Sequence, residues 1–148
     1  MTTIAVKDGV MACDSQVTSG DMRSDFKFEK VMLYDDCYYG FAGDCHNISL
    51  VKGYVRGDID IEQIPESVSL TVVAMPKRGK PFEMTIRKGF ATSMPLPANY
   101  AIGSGGDYAI VAMHCGKDAL DAVKVAKHFD IFTGGNAKAY TFNEKVKK

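Results

Sequence analysis

Apolar and polar residues alternate in the first few positions of the chain. Residues 3–7 follow this two-residue period, and Asp8-Gly9 comes next, which is a strong signal for a two-residue hairpin turn. Residues 10–13 are mostly apolar and read as the returning strand. The sequence therefore predicts that the chain begins with a β-hairpin.

Further strands are predicted along the chain. Asp35-Asp36 separates two strand-like stretches, 30–34 and 37–41, and predicts a second hairpin. The polar, glycine-containing stretch 16–25 predicts a loop or a short hairpin. Other strand-like stretches are the β-branched run 67–75, its partner PFEMTIRKG after the turn PKRGKP, and the alternating stretch 137–142.

Three helices are predicted. The first follows GFAGD, with Asp44 or Asn47 as its N-cap and apolar residues at positions 48, 50, 51 and 54. The second begins at Asp107 and the third at Lys117-Asp118. Residues 57–65 have no clear period and predict a connection. In the stretch 90–106, Pro95 and Pro97 are expected to exclude long regular structure.

The elements therefore follow the order strands, helix, strands, two helices, strand. Strands and helices that segregate into runs favour a layered α+β architecture over a parallel βαβ sheet. The length of 148 residues suggests one domain, 1–148.

Composition narrows the classes of function. Lys plus Arg and Asp plus Glu both number 18, so the net charge is zero, which argues against a protein that binds nucleic acid or an anionic membrane. The sequence shows neither a membrane-spanning run nor a secretory signal. The four cysteines lack metal-ligand spacing and are interpreted as reduced thiols, so we expect a cytoplasmic protein without a metal or other cofactor.

Five short motifs, taken in order, resemble the proteasome β-subunit family, and HslV-type peptidases most closely. They are MTTI, ACDSQ, KV, GFAGD and AIGSGGDYA, and the resemblance covers about residues 2–56 and 99–142. It implies the N-terminal nucleophile hydrolase fold, a four-layer αββα sandwich of two antiparallel sheets. It also implies a threonine-type peptidase that degrades or processes proteins or peptides.

The second residue fits this chemistry. Methionine aminopeptidase removes Met1 when the next side chain is small, and Thr2 would then carry a hydroxyl nucleophile and a free α-amine. An α-amino group has a pKa of about 7.7–8.0, so it can serve as the general base. The alternative is that Thr2 is an ordinary small second residue.

Asp14 and Lys30, sixteen positions apart, match the family's acid and lysine. A lysine ammonium close to the α-amine would disfavour a second positive charge there and keep the amine available as a base. Asp14 would hold the ammonium in place. The alternative is an Asp that ends a strand and a Lys on an exposed strand edge.

The resemblance implies further catalytic residues. The backbone N–H of Gly40 would face the developing oxyanion, and the Ser104 hydroxyl would relay a proton near the Thr2 amine. Asp130 and Thr133, in DIFTGG, would support the nucleophile, with Thr133 in place of the family's serine. Taken alone, these residues also fit a packing glycine, a helix-initiating serine and a helix end followed by a turn.

Four residues match positions that line the family's side-chain pocket. If carried over, they form an apolar pocket and imply cleavage after an apolar residue, although each is also an ordinary core type. They are Val17, Phe28, Tyr38 and Ala42.

The resemblance implies a homo-oligomer, with a ring as one form, and family members also work with an ATP-dependent unfoldase, for which this sequence carries no separate signal. One helix is legible after GFAGD where the family has two, and the family uses these helices in ring contacts. Two alternatives remain: a catalytically silent assembly subunit, and a hydrolase of a non-peptide amide.

Overall fold

The computed structural model describes residues 2–19, 22–24 and 28–143, and these residues contain two large antiparallel sheets, one two-stranded sheet and three α-helices. Side chains are described at 2–16 and 28–143. The strands of the first large sheet, in their order across it, are β10 (Asn99–Ile102), β1 (Ile4–Lys7), β2 (Val10–Cys13) and β11 (Lys138–Thr141). Those of the second, again in their order across the sheet, are β5 (Val31–Tyr34), β6 (Cys37–Ala42), β7 (Ser69–Pro76), β8 (Phe82–Arg87) and β9 (Phe90–Pro95).

The predicted hairpins are confirmed. Asp8 and Gly9 both have positive φ (51° and 75°), as a tight two-residue turn requires, and Asp35 and Asp36 adopt the same region (48° and 55°). The polar stretch after Gln16 forms a short hairpin of β3 (Val17–Ser19) and β4 (Met22–Ser24). The turn chemistry therefore fixes the register of the strands that begin the chain.

The two faces of the first sheet carry different side chains. Ile4, Val6 and Met11 point between the sheets, where they meet Val73 and Met75 of the second sheet. The opposite face presents small residues to the helices, and these are Ala5, Ala12 and Ala101. Because alanines leave room for close approach, the helices lie directly on this sheet.

The helices form the two outer layers. Helix α1 (Cys45–Val55) buries Ile48 and Val51 against the second sheet, and the Asp44 side chain caps its N-terminus by accepting from the His46 N–H at 2.8 Å. Helices α2 (Gly106–His114) and α3 (Ala119–Phe129) cover the first sheet with Ala109, Ala122, Val123 and Ala126. The result is the four-layer αββα sandwich that the resemblance to the proteasome β-subunit family implied.

The stretch 90–102 contains two short strands that the sequence did not reveal. Pro95 and Pro97 were expected to exclude long regular structure, and β9 does end at Pro95, with the short strand β10 beginning at Asn99. Strand β9 is at the edge of its sheet, where a proline is tolerated, and its six residues are exposed, so no alternation marks it. The prolines therefore bound two short strands instead of preventing them.

One α-helix follows GFAGD, as predicted, and a short 3-10 helix (Ile61–Gln63) lies in the connection to β7. Among the described residues, no helix combines the length and the apolar character that a membrane crossing needs. The four cysteines are unpaired; Cys13 and Cys37 are buried and Cys115 is exposed.

Gly40 lies in β6 where the two sheets meet. A Cβ added there would stand 2.7 Å from Ile4 Cγ2 and 3.1 Å from Met11 Sδ. We expect Gly40→Ala to lower the free energy of unfolding by about 1–3 kcal/mol, because the core must shift to accept the methyl group. Urea unfolding measures this change.

Gly53→Ala is the matched control. Gly53 is buried in α1, and its added Cβ would lie 3.8 Å from Ile59, in ordinary contact. This variant should gain roughly 0.5–1 kcal/mol from helix propensity. Equal effects of the two substitutions would contradict the packing assigned to Gly40.

Candidate active site

The first residues of the chain are buried at one end of the sandwich. Thr2 is 1% exposed, and Thr3 is fully buried. Strand β1 begins at the next residue, between β10 and β2, so the sheet holds this end of the chain from both sides. The predicted nucleophile therefore lies in a fixed position.

The Asp14 carboxylate receives three donors. Its Oδ1 accepts from the Thr3 N–H at 3.1 Å and from the Lys30 Nζ at 2.8 Å. Its Oδ2 accepts from the Gly134 N–H at 3.0 Å. Asp14 and Lys30 are only 1% and 2% exposed, so this is a buried ion pair. The predicted pairing of these residues is present in the structure, next to the backbone of the residue that follows Thr2.

A second set of hydrogen bonds reaches Thr2 from the other side. The Thr2 N–H donates to Ser104 Oγ at 3.2 Å, and the Ser104 hydroxyl donates to Asp130 Oδ2 at 2.6 Å. The Thr133 hydroxyl also donates to Asp130 Oδ2, at 2.6 Å. The backbone nitrogen of Thr2 is thereby connected through one hydroxyl to a carboxylate.

The hydrogen bonds to Asp130 determine its charge state. Burial alone would raise the pKa of this carboxyl. The hydroxyls of Ser104 and Thr133 and the N–H of Phe132 donate to it and hold its pKa below the ordinary value. Asp130 therefore remains an anion and an acceptor at neutral pH.

The glycines of AIGSGGD allow the following turn to contact β1. Gly103 has φ +94°, and a Cβ there would overlap the carbonyl of Thr2. A Cβ on Gly105 would overlap the Thr3 hydroxyl, and the Gly105 N–H donates to Thr2 O at 3.3 Å. This glycine-rich turn is thus filled by the start of the chain.

A cavity of about 410 Å³ opens beside Thr2. The N-terminal end of α2, the end of β6 and parts of β7, β8 and β10 surround it. The residues that line it include Ala42, Gly43, Gly103, Ser104 and Gly106. This cavity gives the threonine end of the chain access to a ligand.

Gly40 and Gly43 occupy different environments. The Phe41 N–H donates to Lys30 O, so the alternation of an antiparallel strand directs the Gly40 N–H to the opposite neighbour, β7, where Gly40 pairs with Val73. Gly43 follows the last residue of β6, has φ +146° and lines the cavity with Thr2. Of these two glycines, only Gly43 lines the cavity.

Of the four predicted pocket residues, the three whose side chains are described do not meet in one place. Ala42 lines the cavity, but Tyr38 lies on the same face of β6 about 13 Å away and packs against Tyr140 and Phe142. Phe28 packs with the α1 core and lies under Lys52 Nζ. The side chain of Val17 lies outside the described residues, so the apolar pocket stays a prediction.

Sequence reasoning missed Thr3 and Gly134. The Thr3 hydroxyl lies 2.8 Å from the Thr133 hydroxyl, and the Thr133 proton is directed to Asp130, so Thr3 is the donor in this contact. Gly134 donates to Asp14, and a Cβ there would overlap Gln16. The second threonine of MTTI and the first glycine of TGG were the available signals.

Solved structures of other proteins share this fold. BPH of Thiobacillus denitrificans in complex with epoxomicin matches with a TM-score of 0.72 at 20% identity, over 94% of this chain and 96% of that one. BPH on its own gives 0.69 at 20% identity, over 94% and 95% of the two chains. HslV of Trypanosoma brucei gives 0.68 at 20% identity, over 94% and 97%.

These comparisons show that the chain shares the fold of the BPH and HslV structures, in agreement with the αββα sandwich that the resemblance to HslV-type peptidases implied. No protein-family model matches the chain, and no curated protein matches its sequence. The fold is therefore established by structural similarity.

The lowered pKa of Asp130 predicts a pH dependence of stability. Because the folded carboxyl has a lower pKa than the unfolded one, its contribution is complete above the ordinary value of about 3.8 and is lost as the pH falls through the folded pKa. Urea unfolding from pH 6 downwards should show the difference between wild type and Asp130→Asn shrinking in acid. The exposed Asp36→Asn is the control, and a difference that stays constant with pH would contradict the assignment.

Proposed function

We propose that the chain is a threonine-type N-terminal nucleophile peptidase, in which Thr2, exposed by removal of Met1, attacks peptide bonds. One observation carries the proposal: the Thr2 nitrogen donates to Ser104, which is anchored on Asp130, beside a cavity that can admit a substrate. After Met1 removal that nitrogen is an α-amine, and the fold already holds it in a hydrogen-bonded position. Similarity to the BPH and HslV structures supports the same class.

The first step forms an acyl-enzyme. The Thr2 hydroxyl oxygen attacks the substrate carbonyl carbon while its proton passes to the α-amine of the same residue. The C–O bond forms, the carbonyl oxygen becomes an oxyanion, and the protonated amine then gives its proton to the leaving nitrogen as the C–N bond breaks. An ester with Thr2 remains.

The second step restores the enzyme. A water molecule attacks the ester carbonyl, and the α-amine takes its proton as general base. Collapse of the intermediate releases the carboxylic acid product and returns the proton to the Thr2 oxygen. Both steps use one nucleophile and one base on the same residue.

Asp14 and Lys30 support this chemistry by charge. The buried ammonium of Lys30, held by Asp14, disfavours protonation of the nearby α-amine, which keeps the amine available as a base. Ser104 orients the amine, with Asp130 and Thr133 holding Ser104 and the segment around it. These roles follow the predictions made from the sequence.

The oxyanion needs a backbone donor close to Thr2. Gly40 was the predicted donor, but its direction in β6 and its packing against Ile4 favour Gly43 instead. Gly43 lines the cavity at the point where the β6 ladder ends. We therefore assign the oxyanion N–H to Gly43.

The substrate class is a protein or peptide, and the HslV-type fold favours a homo-oligomer, for which a ring is one form. An ATP-dependent unfoldase remains a predicted partner class without a residue that supports it. The silent-subunit alternative is not favoured, because the acid accepts a hydrogen bond from Thr3, the lysine pairs with that acid, and the serine accepts from Thr2.

Substitution of Thr2 tests the proposal. With Met1 removed, Thr2→Ala should lower kcat/KM for a fluorogenic peptide by at least about a thousandfold, because the nucleophile is lost. Thr2→Ser keeps a hydroxyl and an amine and should retain measurable turnover. The exposed Thr92→Ala serves as the control. Undiminished turnover by Thr2→Ala would end the proposal.

Ser104→Ala tests the relay. Removing the hydroxyl takes away the Ser104 acceptor of the amine and its link to Asp130, so kcat should fall by about 10²–10⁴-fold. Epoxyketone labelling of Thr2 should slow in parallel, which a defect in substrate binding alone would not require. Labelling and turnover at wild-type rates would remove Ser104 from the mechanism.

A further inference from the structure

One wall of the cavity beside Thr2 is polar and acidic. Glu83 of β8, Tyr100 of β10 and Asp107 in the first turn of α2 all line it, together with the hydroxyls of Ser69 and Thr71. The Ser104 hydroxyl that accepts from Thr2 lines the same space. A substrate that places a carbonyl at Thr2 therefore brings its neighbouring groups close to these carboxylates.

No described Lys, Arg or His lines this cavity. Within the part of the chain whose side chains are described, the ion pairs are Lys30–Asp14, Arg56–Asp58 and Lys138–Glu29, so Glu83 and Asp107 take part in none. Two carboxylates in one partly enclosed space repel each other and attract a cation. Their charge is thus available to a ligand.

Tyr100 fixes the position of Glu83. Burial and the neighbouring Glu83 carboxylate raise the pKa of Tyr100, so its hydroxyl remains protonated and donates to Glu83. The tyrosine orients the carboxylate without neutralising it. Glu83 is therefore a held acceptor at the wall of the cavity.

The partial positive charge at the N-terminus of α2 opposes the binding of a cation in this cavity. A helix N-terminus carries roughly half a positive charge, which favours anions. Asp107 lies in that first turn and offsets this half charge with a full negative one. With Glu83 added, the described lining remains negative, so the cavity is suited to a cation.

We propose that this cavity binds a lysine or arginine side chain of the peptide substrate next to the scissile bond, with Glu83 and Asp107 as its acceptors. The inference rests on the proposed peptidase function and names its substrate class. A volume of about 410 Å³ holds one such side chain with its hydrating water. The hydroxyls of Ser69 and Thr71 offer further acceptors to the cationic group.

The basic subsite differs from the apolar pocket predicted from the sequence. Of the four residues in that prediction, the cavity contains Ala42, while Tyr38 lies farther along β6. The two subsites would accept side chains on different parts of one extended peptide. The chain would then cleave next to a basic residue, and the identity of the apolar residue in the other subsite would not change this requirement.

Binding of matched peptides tests the inference without requiring turnover. Each set contains three labelled peptides that carry Lys, Gln or Glu at one position and are otherwise identical. The sets differ in where this position lies on either side of a central amide bond. Fluorescence anisotropy measures their affinity for Thr2→Ala, which cannot acylate. We expect at least one lysine peptide to bind about tenfold tighter than its glutamine counterpart, the worth of one charge-assisted contact.

Substitutions at the acidic wall of the cavity test which residues cause the preference for lysine peptides. Glu83→Gln and Asp107→Asn, each added to Thr2→Ala, should reduce the lysine preference, and Glu83→Lys should transfer it to the glutamate peptide. Glu66→Gln makes the same charge change at an exposed position outside the cavity and should leave the preference intact. The preference should also weaken as salt is added, because partly exposed charges are screened.

Equal binding of the lysine and glutamine peptides, or no saturable binding of any lysine peptide, overturns the inference. A preference that survives both Glu83→Gln and Asp107→Asn overturns it as well. Turnover by the wild-type chain is measured separately. Selective binding of lysine peptides without turnover supports the basic subsite and rejects the peptidase function. Turnover of all three peptides at one rate supports the peptidase function and rejects the basic subsite.

Discussion

One buried carboxylate organises the candidate site. Asp14 accepts the Thr3 N–H from β1, the Lys30 ammonium from the segment before β5 and the Gly134 N–H from the turn before β11. It therefore joins both sheets and the turn after α3. Removing one partner of such a pair typically costs about 3–5 kcal/mol, because the remaining charge stays buried and uncompensated. A stable chain of this kind has to keep acid and lysine together, and that requirement places a cation next to the N-terminal residues.

Glycines, which have no side chain, shape the remainder of the site. The backbone of Gly103 contacts the carbonyl of Thr2, and Gly105 contacts Thr3, so the turn before α2 can hold Ser104 against the Thr2 nitrogen. Gly134 makes room for Gln16 in the same way. Hydrogen bonds then hold these segments together, because one oxygen of Asp130 accepts from both the Ser104 and the Thr133 hydroxyl.

Local patterns were sufficient for most of the architecture. Asp8-Gly9 and Asp35-Asp36 specify their hairpins through positive φ, and Asp44 marks the start of α1 through its capping bond. Strand β9 could not be recognised because its residues are all exposed. The pairing of Asp14 with Lys30 was predicted because their separation of sixteen positions matches the family's acid and lysine. The contact between Thr3 and Thr133 joins residues 130 positions apart, and only the packed sheet brings them together. Likewise, the resemblance pointed to Gly40, and only the direction of β6 and the cavity beside Gly43 distinguish the two glycines.

The central claim is that Thr2 supplies nucleophile and base from one residue. Intact mass spectrometry of the purified protein, before and after incubation with a peptide epoxyketone, tests it most directly, since this electrophile reacts with a hydroxyl and a free α-amine on the same residue. The account predicts a protein without Met1 that gains one inhibitor mass, located on Thr2 by fragmentation. A protein that lacks Met1 and gains no inhibitor mass, with the sandwich intact, would contradict it.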